Sequence, residues 1–275
     1  AIHCTVNPGL YKFEKETVNT TDPRSVAVVG AGPAGCEAAL TAANNGHKVT
    51  LYEKREFGGA MIKGAKPENK KNIRRLISYY KDHIEKHPNI TFIKETADFD
   101  TIVAGHYNVC ISAIGGNPRH LNVQGIDNEM VINAMDYLDD VKVNGKEVVV
   151  IGGGITGAET ALELHGEGKK VTIIEMADQF LAQQSNACQA YNIAISQTDI
   201  KIKTGLRLLS VGDKEITLVD RFGNEQTMAC DNVVIAAGFV SNDSLYERLY
   251  NETNLQVFNV GDSKKVRQIF DAVHE

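Results

Sequence analysis

Apolar runs of strand length alternate with helical patterns along the chain, beginning at residues 26–54. A short apolar run comes first, a helical pattern follows, and a second strand-like run ends at Glu53. Because neighbouring parallel strands need a crossover helix, this order predicts a βαβ unit. Residues 148–176 repeat it, and a shift of 122 residues makes 13 of the 29 positions identical. The pattern therefore predicts a duplicated unit and not a repeat array, whose period is shorter.

Three glycines separate the first strand from its helix. Gly30 permits a tight turn, Gly32 lets the backbone approach a pyrophosphate, and Gly35 lets the helix pack closely on the strand. The helix N-terminus would face the anion with free N–H groups and its positive dipole end. Glu53 stands where an acidic side chain accepts hydrogen bonds from an adenosine ribose. These features together predict a dinucleotide site; the alternative is a purely structural glycine turn.

The second copy carries the same chemistry at Gly152, Gly154, Gly157 and Glu175. A glycine turn followed by an acid at the end of the next strand predicts a second dinucleotide site. Residues 176–178 supply no arginine to hold a 2′-phosphate, and the Glu175 carboxylate would repel one. We therefore expect NADH to be preferred over NADPH.

The remaining patterns predict further helices and strands around these two units. Helices are expected over residues 69–87, which end before Pro88, and over residues 132–138 and 183–197. Two alternating runs at residues 207–211 and 215–219 predict a hairpin. Other strands are expected at residues 90–94, 107–113, 200–203 and 257–260, and a last helix from Ser263.

Composition and net charge argue against several classes of function. The 275 residues are 43% hydrophobic, which suffices for two globular domains. A net charge of −6 gives no electrostatic basis for binding nucleic acid or an anionic membrane. No apolar run approaches the about 18 residues of a membrane span, and no secretion signal is recognisable. A cytoplasmic protein is expected.

Cysteine and histidine spacing gives little support for a metal site within the chain. The five cysteines form no CxxC pair, so neither a disulfide framework nor a complete metal site is expected. His83 and His87 lie one helical turn apart, as a metal pair would, but no third ligand is near them in the sequence. A solvated helix face is the favoured interpretation.

Three stretches resemble a known family: CTVNP at residues 4–8, FGGAMIKGAKPENKKNIRRLISYY at residues 57–80 and GDSKKVRQIFDAVHE at residues 261–275. They are similar to the C-terminal half of the old-yellow-enzyme-linked iron–sulfur flavoenzymes of the NADH:flavin oxidoreductase/NADH oxidase type. This family includes 2,4-dienoyl-CoA reductase, 2-enoate reductase and trimethylamine dehydrogenase. The redox cysteine pairs of related disulfide reductases are missing here, so dithiol chemistry is not expected.

The resemblance implies an α/β fold with two Rossmann-like ββα-type dinucleotide-binding domains, each with three layers around a parallel sheet. Residues 23–140 and 241–275 would form an FAD-binding domain, shortened at its C-terminal end. Residues 141–240 would form an NAD(P)H-binding domain inserted in it, and residues 1–22 a lead-in segment.

The resemblance also assigns cofactor-binding residues. Those for FAD would be Gly30, Gly32, Ala34, Gly35, Glu53, Lys54, Gly59, Ala113, Gly115, Gly261 and Asp262. Those for the nicotinamide nucleotide would be Gly152, Gly154, Gly157, Glu175 and Gly238. No side chain would need to act as an acid or base in hydride transfer, so no catalytic residue is expected.

In this family NADH gives a hydride to FAD, and single electrons then pass through a 4Fe-4S cluster to FMN, which reduces an activated C=C bond. The last cluster cysteine precedes a xVNP sequence, which Cys4 matches; the alternative is an incidental thiol. The FMN barrel and the three partner cysteines are absent from the sequence. We therefore expect the chain to be a fragment whose partner is the barrel of the same polypeptide.

Two other functions remain open at this stage. One is a structural module that holds ADP without redox activity, as is understood for trimethylamine dehydrogenase. The other is an electron-input module similar to the small subunit of glutamate synthase, which shares the nucleotide loops but has a different cysteine-rich N-terminal domain. Intact glycines and acids in both copies disfavour the structural module.

Overall fold

A computed structural model describes residues 4–5, 20–67, 70–182 and 185–275 and divides the chain into two compact units. The first unit comprises Ala1–Asn117 and Phe239–Glu275, and the second comprises Pro118–Gly238. Strands and helices are numbered in chain order. The first unit contains β1 (Ser25–Val29), α1 (Pro33–Asn44), β2 (Lys48–Tyr52), α2 (Met61–Gly64), α3 (Lys71–Glu85), β3 (Ile90–Ile93), α4 (Phe99–Ala104), β4 (Val109–Ser112), β14 (Phe239–Ser241), α8 (Ser244–Glu252), β15 (Gln256–Asn259) and α9 (Ile269–His274).

The second unit begins within the short strand β5 (Gly116–Pro118), which pairs with β14. Its other elements are β6 (Val131–Asn133), α5 (Ala134–Tyr137), β7 (Glu147–Ile151), α6 (Ile155–Gly166), β8 (Lys170–Ile174), α7 (Asn186–Ser196), β9 (Lys201–Lys203), β10 (Leu206–Val211), β11 (Glu215–Asp220), β12 (Glu225–Ala229) and β13 (Asn232–Ile235).

The first unit is built on a parallel sheet in the order β15-β4-β1-β2-β3. Successive side chains of a strand point to opposite faces. Accordingly Val26 and Val28 join the core with α1 and α3, whereas Ala27 and Val29 join a second core with α4 and α8. Burial on both faces explains why β1 is an unbroken apolar run.

The second unit has a parallel sheet in the order β6-β13-β7-β8-β9. Val148 and Val150 face a core that includes residues of α6 and α7. Val149 and Ile151 face the opposite core, which is closed by the antiparallel sheet β10-β11-β12. Both units thus have three layers around a parallel sheet, and the expected α/β fold with Rossmann-like units is confirmed.

The boundary between the units differs from the sequence-based expectation of residues 140 and 141. The chain enters the second unit at Pro118, because β6 pairs with β13 through Val131 and Val233. Residues 118–140 therefore belong to the second unit. The chain returns at Phe239, two residues before the expected position.

Several elements differ from the sequence-based expectations for physical reasons. The helix expected at residues 132–138 begins only at Ala134, because Asn133 ends a strand and its side chain caps the helix by accepting from Met135 N. The last helix begins at Ile269 and not at Ser263, because a 3-10 turn comes first and Gln268 and Asp271 form a capping box. No described helix has both the length and the apolar character to cross a membrane.

Candidate functional site

The first glycine turn is closed by backbone contacts. Gly30 N donates to Tyr52 O at 2.8 Å, which ties the turn to the neighbouring strand. Gly30 has φ of +103°, and a Cβ there would lie 2.4 Å from Ala113 O. A Cβ on Gly35 would lie 1.8 Å from Gly30 O. Only glycine fits at both positions, so the strand, the turn and α1 approach one another at backbone distance.

Gly32 differs from these two glycines because it faces open space. It is the N-cap of α1, and among the described residues no heavy atom beyond its chain neighbours lies within 4 Å of a Cβ built there. The first N–H groups of a helix have no partner within the helix and carry its positive dipole end. The start of α1 therefore offers an open anion site, as the sequence predicts.

Glu53 holds this turn in shape. Its side chain is only 8% exposed, Oε2 accepts from Ala31 N at 2.9 Å, and Oε1 accepts from Arg55 N at 2.9 Å. A carboxylate has about four acceptor positions, so it can still accept from a ribose hydroxyl. The adjacent Lys54 is exposed. Sequence reasoning did not identify Ala31, whose only signal is its place inside the glycine turn.

The glycine pair after β2 packs on the same turn. Gly58 N donates to Ala31 O at 2.8 Å. Gly59 has φ of +54°, and a Cβ there would lie 3.1 Å from Gly32 Cα. Gly59 is therefore brought beside the open anion site. Gly58 is a further residue of the site that sequence reasoning missed, although the double glycine signals an unusual backbone.

The late Gly261–Asp262 pair also reaches the start of α1. Gly261 has φ of +64°, and a Cβ there would lie 2.6 Å from Ala34 Cβ. Its N–H donates to Glu275 Oε2 at 2.8 Å, which fixes the turn after β15. Burial raises the pKa of the Asp262 carboxyl, while the amide and charge of Arg267 oppose this. Gly115 has φ of +79° and faces open space within the described chain.

The second unit repeats this geometry around Gly152 and Gly157. Gly152 N donates to Ile174 O at 2.8 Å, and a Cβ on Gly152 would lie 2.3 Å from Ala236 O. A Cβ on Gly157 would lie 1.9 Å from Gly152 O. Within the described ranges, Gly154 again has no heavy atom within 4 Å of a Cβ position. The start of α6 is therefore a second open anion site.

Glu175 repeats the role of Glu53. Oε2 accepts from Gly153 N at 2.6 Å, and Oε1 accepts from Ala177 N at 2.7 Å. Gly153, which sequence reasoning did not identify, is buried, and its O accepts from Leu181 N at 3.0 Å. Gly238 has φ of +82° and its O accepts from Arg119 N, at the point where the chain leaves this unit.

A tyrosine–glutamate pair also occurs in both units. Tyr80 of α3 donates to Glu37 Oε2 of α1 at 3.3 Å, and Tyr191 of α7 donates to Glu159 Oε1 of α6. The two glutamates are themselves related by the shift of 122 residues. Burial raises the pKa of the Tyr80 hydroxyl, so it stays a donor. The pairs fix the glycine-loop helices against other helices of their units, α1 against α3 and α6 against α7.

The described residues contain no group of three His, Cys, Asp or Glu side chains placed to hold a metal ion. Cys4 lies in the described segment and is half-buried, while its neighbours in the CTVNP sequence from Val6 onward lie outside the described residues. Its assignment as a cluster ligand remains a prediction. His83 contacts Tyr79, and His87 contacts Asn44.

The open helix starts, the closed turns and the acids together fit two adenine dinucleotides, one in each unit. The donors are backbone N–H groups, which suit a pyrophosphate. The close approach of Gly261 to Ala34 at the start of α1 is an additional feature of the first site.

Comparisons with known proteins agree with this geometry. A family model described as pyridine nucleotide-disulphide oxidoreductase matches residues 24–268. Cinnamate reductase from Clostridium sporogenes is 31% identical over 281 residues, a match that covers 99% of this chain and 41% of that protein. NADH oxidase from Thermoanaerobacter brockii is 32% identical over 287 residues, covering 99% and 43%.

A solved structure of 2-naphthoyl-CoA reductase in complex with 2-naphthoyl-CoA superimposes with a TM-score of 0.86 at 30% identity, covering 99% of this chain and 42% of that chain. The chain thus spans about two-fifths of the length of the curated relatives named above. These matches confirm the resemblance drawn from the sequence motifs.

Proposed function

Because the chain belongs to the pyridine nucleotide-disulphide oxidoreductase family, we propose that it is the electron-input module of an NADH-dependent flavoprotein oxidoreductase. FAD binds to the first unit and NADH to the second. When bound, FAD accepts a hydride from the reduced nicotinamide and passes its electrons to the next centre. The observation that carries this proposal is the pair of helix starts left open at Gly32 and Gly154.

The assignment of FAD to the first unit rests on the turn after β15, which brings Gly261 against the start of α1. Gly59 lies beside Gly32, and Gly261 lies against Ala34 at the start of α1. The loop at Gly59 has a counterpart in the second unit, where Leu181 N donates to Gly153 O, so the additional turn at the first anion site is that of Gly261, which Asp262 follows. A larger cofactor than a nicotinamide nucleotide has more atoms to contact, and this turn supplies further contacts.

The residues of the chain have binding and positioning roles in this proposal. The amides at the starts of α1 and α6 bind pyrophosphates, and Glu53 and Glu175 hold the turns and accept from ribose hydroxyls. Buried Glu53 bonds to two amides, which keeps the first turn fixed before the cofactor arrives. Preorganisation of this kind lowers the cost of binding.

For the longer protein, we propose that electrons continue through a 4Fe-4S cluster, with Cys4 as one ligand, to an FMN barrel that reduces an activated C=C bond. The relatives named cinnamate reductase and 2-naphthoyl-CoA reductase support this proposal by their names and by their greater length. The barrel would be the partner of the module in the same polypeptide.

Alanine substitutions at the two open glycines test the proposal. In Gly32→Ala, the new methyl group projects into the space left for the FAD pyrophosphate, so we expect FAD affinity to fall at least about tenfold while NAD⁺ affinity is unchanged. Gly154→Ala should show the reverse. FAD binding is followed by quenching of flavin fluorescence, and NAD⁺ binding by calorimetry with FAD in excess.

Each variant is the matched control for the other, because both remove an open glycine at a helix N-cap. If Gly32→Ala left FAD binding intact, the first unit would not be the FAD site. If purified wild-type protein bound a pyridine nucleotide and ADP but not FAD, the structural-module alternative would replace the proposal.

A further inference from the structure

An arginine distant in sequence lies near the ribose end of the second anion site. Arg221, on the turn between β11 and β12, places Nη1 3.1 Å from Asp178 Oδ2. Asp178 lies three residues after Glu175, the acid expected at the adenosine ribose. The loop after β8 has no arginine of its own, and the turn between β11 and β12 places Arg221 beside it.

The strand arrangement explains why Arg221 returns to this edge. Leu206 N donates to Glu175 O at 3.1 Å, so β10 starts where β8 ends. In the antiparallel sheet Leu206 pairs with Asp220, the residue before Arg221. The end of β11 is therefore held next to the end of β8.

The turn that carries Arg221 has a fixed backbone. The Asp220 carboxylate accepts from Phe222 N at 2.8 Å and from Asn224 N at 2.9 Å. Bonds from the side chain and backbone of Asn224 lower the pKa of Asp220, so this arrangement persists at neutral pH. The Arg221 side chain extends from a rigid base, beside the exposed Phe222 ring.

The ion pair between Arg221 and Asp178 is exposed, so another anion can replace the Asp178 carboxylate. The side chains of Arg221 and Asp178 are 67% and 77% exposed, and exposed ion pairs contribute little stability. A guanidinium binds a phosphate through two parallel hydrogen bonds, so a 2′-phosphate could replace the Asp178 carboxylate. With Asp178 in place, the two carboxylates of Glu175 and Asp178 carry more charge than the Arg221 guanidinium neutralises. This negative balance disfavours binding of a phosphate.

We propose that Asp178 sets the preference for NADH by neutralising Arg221, which is a latent ligand for the 2′-phosphate of NADPH. The inference rests on the proposed function, namely that the second unit binds a pyridine nucleotide. Arg221 is a specificity-determining residue in this scheme and takes no part in hydride transfer.

The test uses the 275-residue chain with FAD in excess and calorimetric titrations of NAD⁺ and NADP⁺. Asp178→Asn should tighten NADP⁺ binding about three- to tenfold and leave NAD⁺ binding within about twofold, the size expected when one exposed phosphate contact replaces an exposed ion pair. Adding Arg221→Gln to this variant should cancel the gain.

Asp199→Asn is the matched charge control. Asp199 pairs with His165 and precedes β9, which runs parallel to β8, so it lies at the amino end of these strands while Glu175 and Asp178 follow the carboxyl end of β8. It should leave both affinities unchanged. An equal gain in this variant would show a net-charge effect, and a gain that survives Arg221→Gln would exclude Arg221 as the ligand; either result overturns the inference.

Gly154→Ala separates this inference from the function on which it rests. It should weaken the binding of both nucleotides. Unchanged binding of both in that variant would overturn the proposed nucleotide site itself, whatever the result at Asp178.

Discussion

Single glycines in the two turns serve opposite purposes. Gly35 and Gly157 allow backbone atoms to touch, since a Cβ at either would lie within 2 Å of a carbonyl oxygen. Gly32 and Gly154 leave space that no described residue beyond their chain neighbours fills. Identical residues at fixed spacing therefore build the turn at one position and create the ligand site at another.

This contrast predicts different outcomes for two alanine substitutions only three residues apart. Gly35→Ala should lower the free energy of unfolding by about 3 kcal/mol, because the methyl group would overlap Gly30 O and the core would have to shift. Gly32→Ala should cost about 1 kcal/mol or less, the usual effect of a poorer N-cap. Urea unfolding followed by far-UV circular dichroism measures both.

The test is whether Gly35→Ala lowers the free energy of unfolding more than Gly32→Ala does. Equal stability losses would mean that the turn relaxes around Gly35, or that Gly32 is itself constrained. The fold would then not distinguish the structural glycine from the ligand glycine.

At the level of elements, side chains at and just before the start of β13 fix the backbone that leads into β7. Asp231, just before β13, accepts at Oδ2 from Lys146 N at 2.7 Å and from Glu147 N at 2.9 Å. Asn232 Oδ1 accepts from Gly145 N at 2.8 Å. These bonds position the first residues of β7, the strand that ends at the second glycine turn.

A pH dependence follows from this contact. The amides of Glu147 and Lys146 lower the pKa of Asp231 below its ordinary value of 3.8. A lowered pKa in the folded state stabilises the protein above the unfolded-state pKa, and the contribution is lost as pH falls through the folded value. Asp231→Asn should therefore be less stable than the wild type at pH 7, and the difference should shrink below about pH 3.8.

Thermal unfolding at pH 7, 5 and 3 measures the difference. Asp243→Asn removes the same charge at a helix N-cap where the side chain makes no capping bond, and it serves as the control. A stability difference for Asp231→Asn that did not change with pH would contradict the assigned cause.

At the scale of the whole molecule, the duplication extends to individual hydrogen bonds. The bond from Gly30 N to Tyr52 O and the two bonds of Glu53 recur, 122 residues later, at Gly152 and Glu175. The outer layers of the two units differ. The helices α4 and α8 cover one face of the first parallel sheet, whereas the antiparallel sheet β10-β11-β12 covers one face of the second. Nucleotide binding is thus shared, and the surroundings of each site are distinct.

The two-unit organisation predicts a limited set of reactions for the chain by itself. With FAD and NADH it should reduce a dye acceptor, because such acceptors take electrons directly from the flavin. It should not reduce an enoate or a dienoyl thioester, since the described residues divide into two compact units and include no group of three His, Cys, Asp or Glu side chains placed to hold a metal ion. Spectrophotometry of NADH oxidation with each acceptor measures this.

Gly154→Ala should slow the dye reaction at low NADH concentration, because NADH would bind more weakly. Turnover of an unsaturated substrate by the isolated chain would show that no further domain is required, and it would overturn the proposal for the longer protein.

Local patterns in the sequence determined the two βαβ units, the parallel sheets and most residues of both turns. Short-range physics explains this success: glycine at a turn, apolar runs buried on both faces and an acid after the next strand each act within about 30 residues. The hairpin of β10 and β11 and the helix α3 were predicted for the same reason. The family match confirms the fold to which these patterns point.

Only the tertiary structure decided what depends on contacts between distant segments. The boundary at Pro118 follows from the pairing of β6 with β13, whose partner residues Val131 and Val233 lie 102 positions apart in the sequence. Likewise, the contact of Gly261 with Ala34 and the return of Arg221 to Asp178 depend on strand order and register. Hydrophobic periodicity marks which residues are buried but not which strand becomes a neighbour, because many pairings would bury the same side chains.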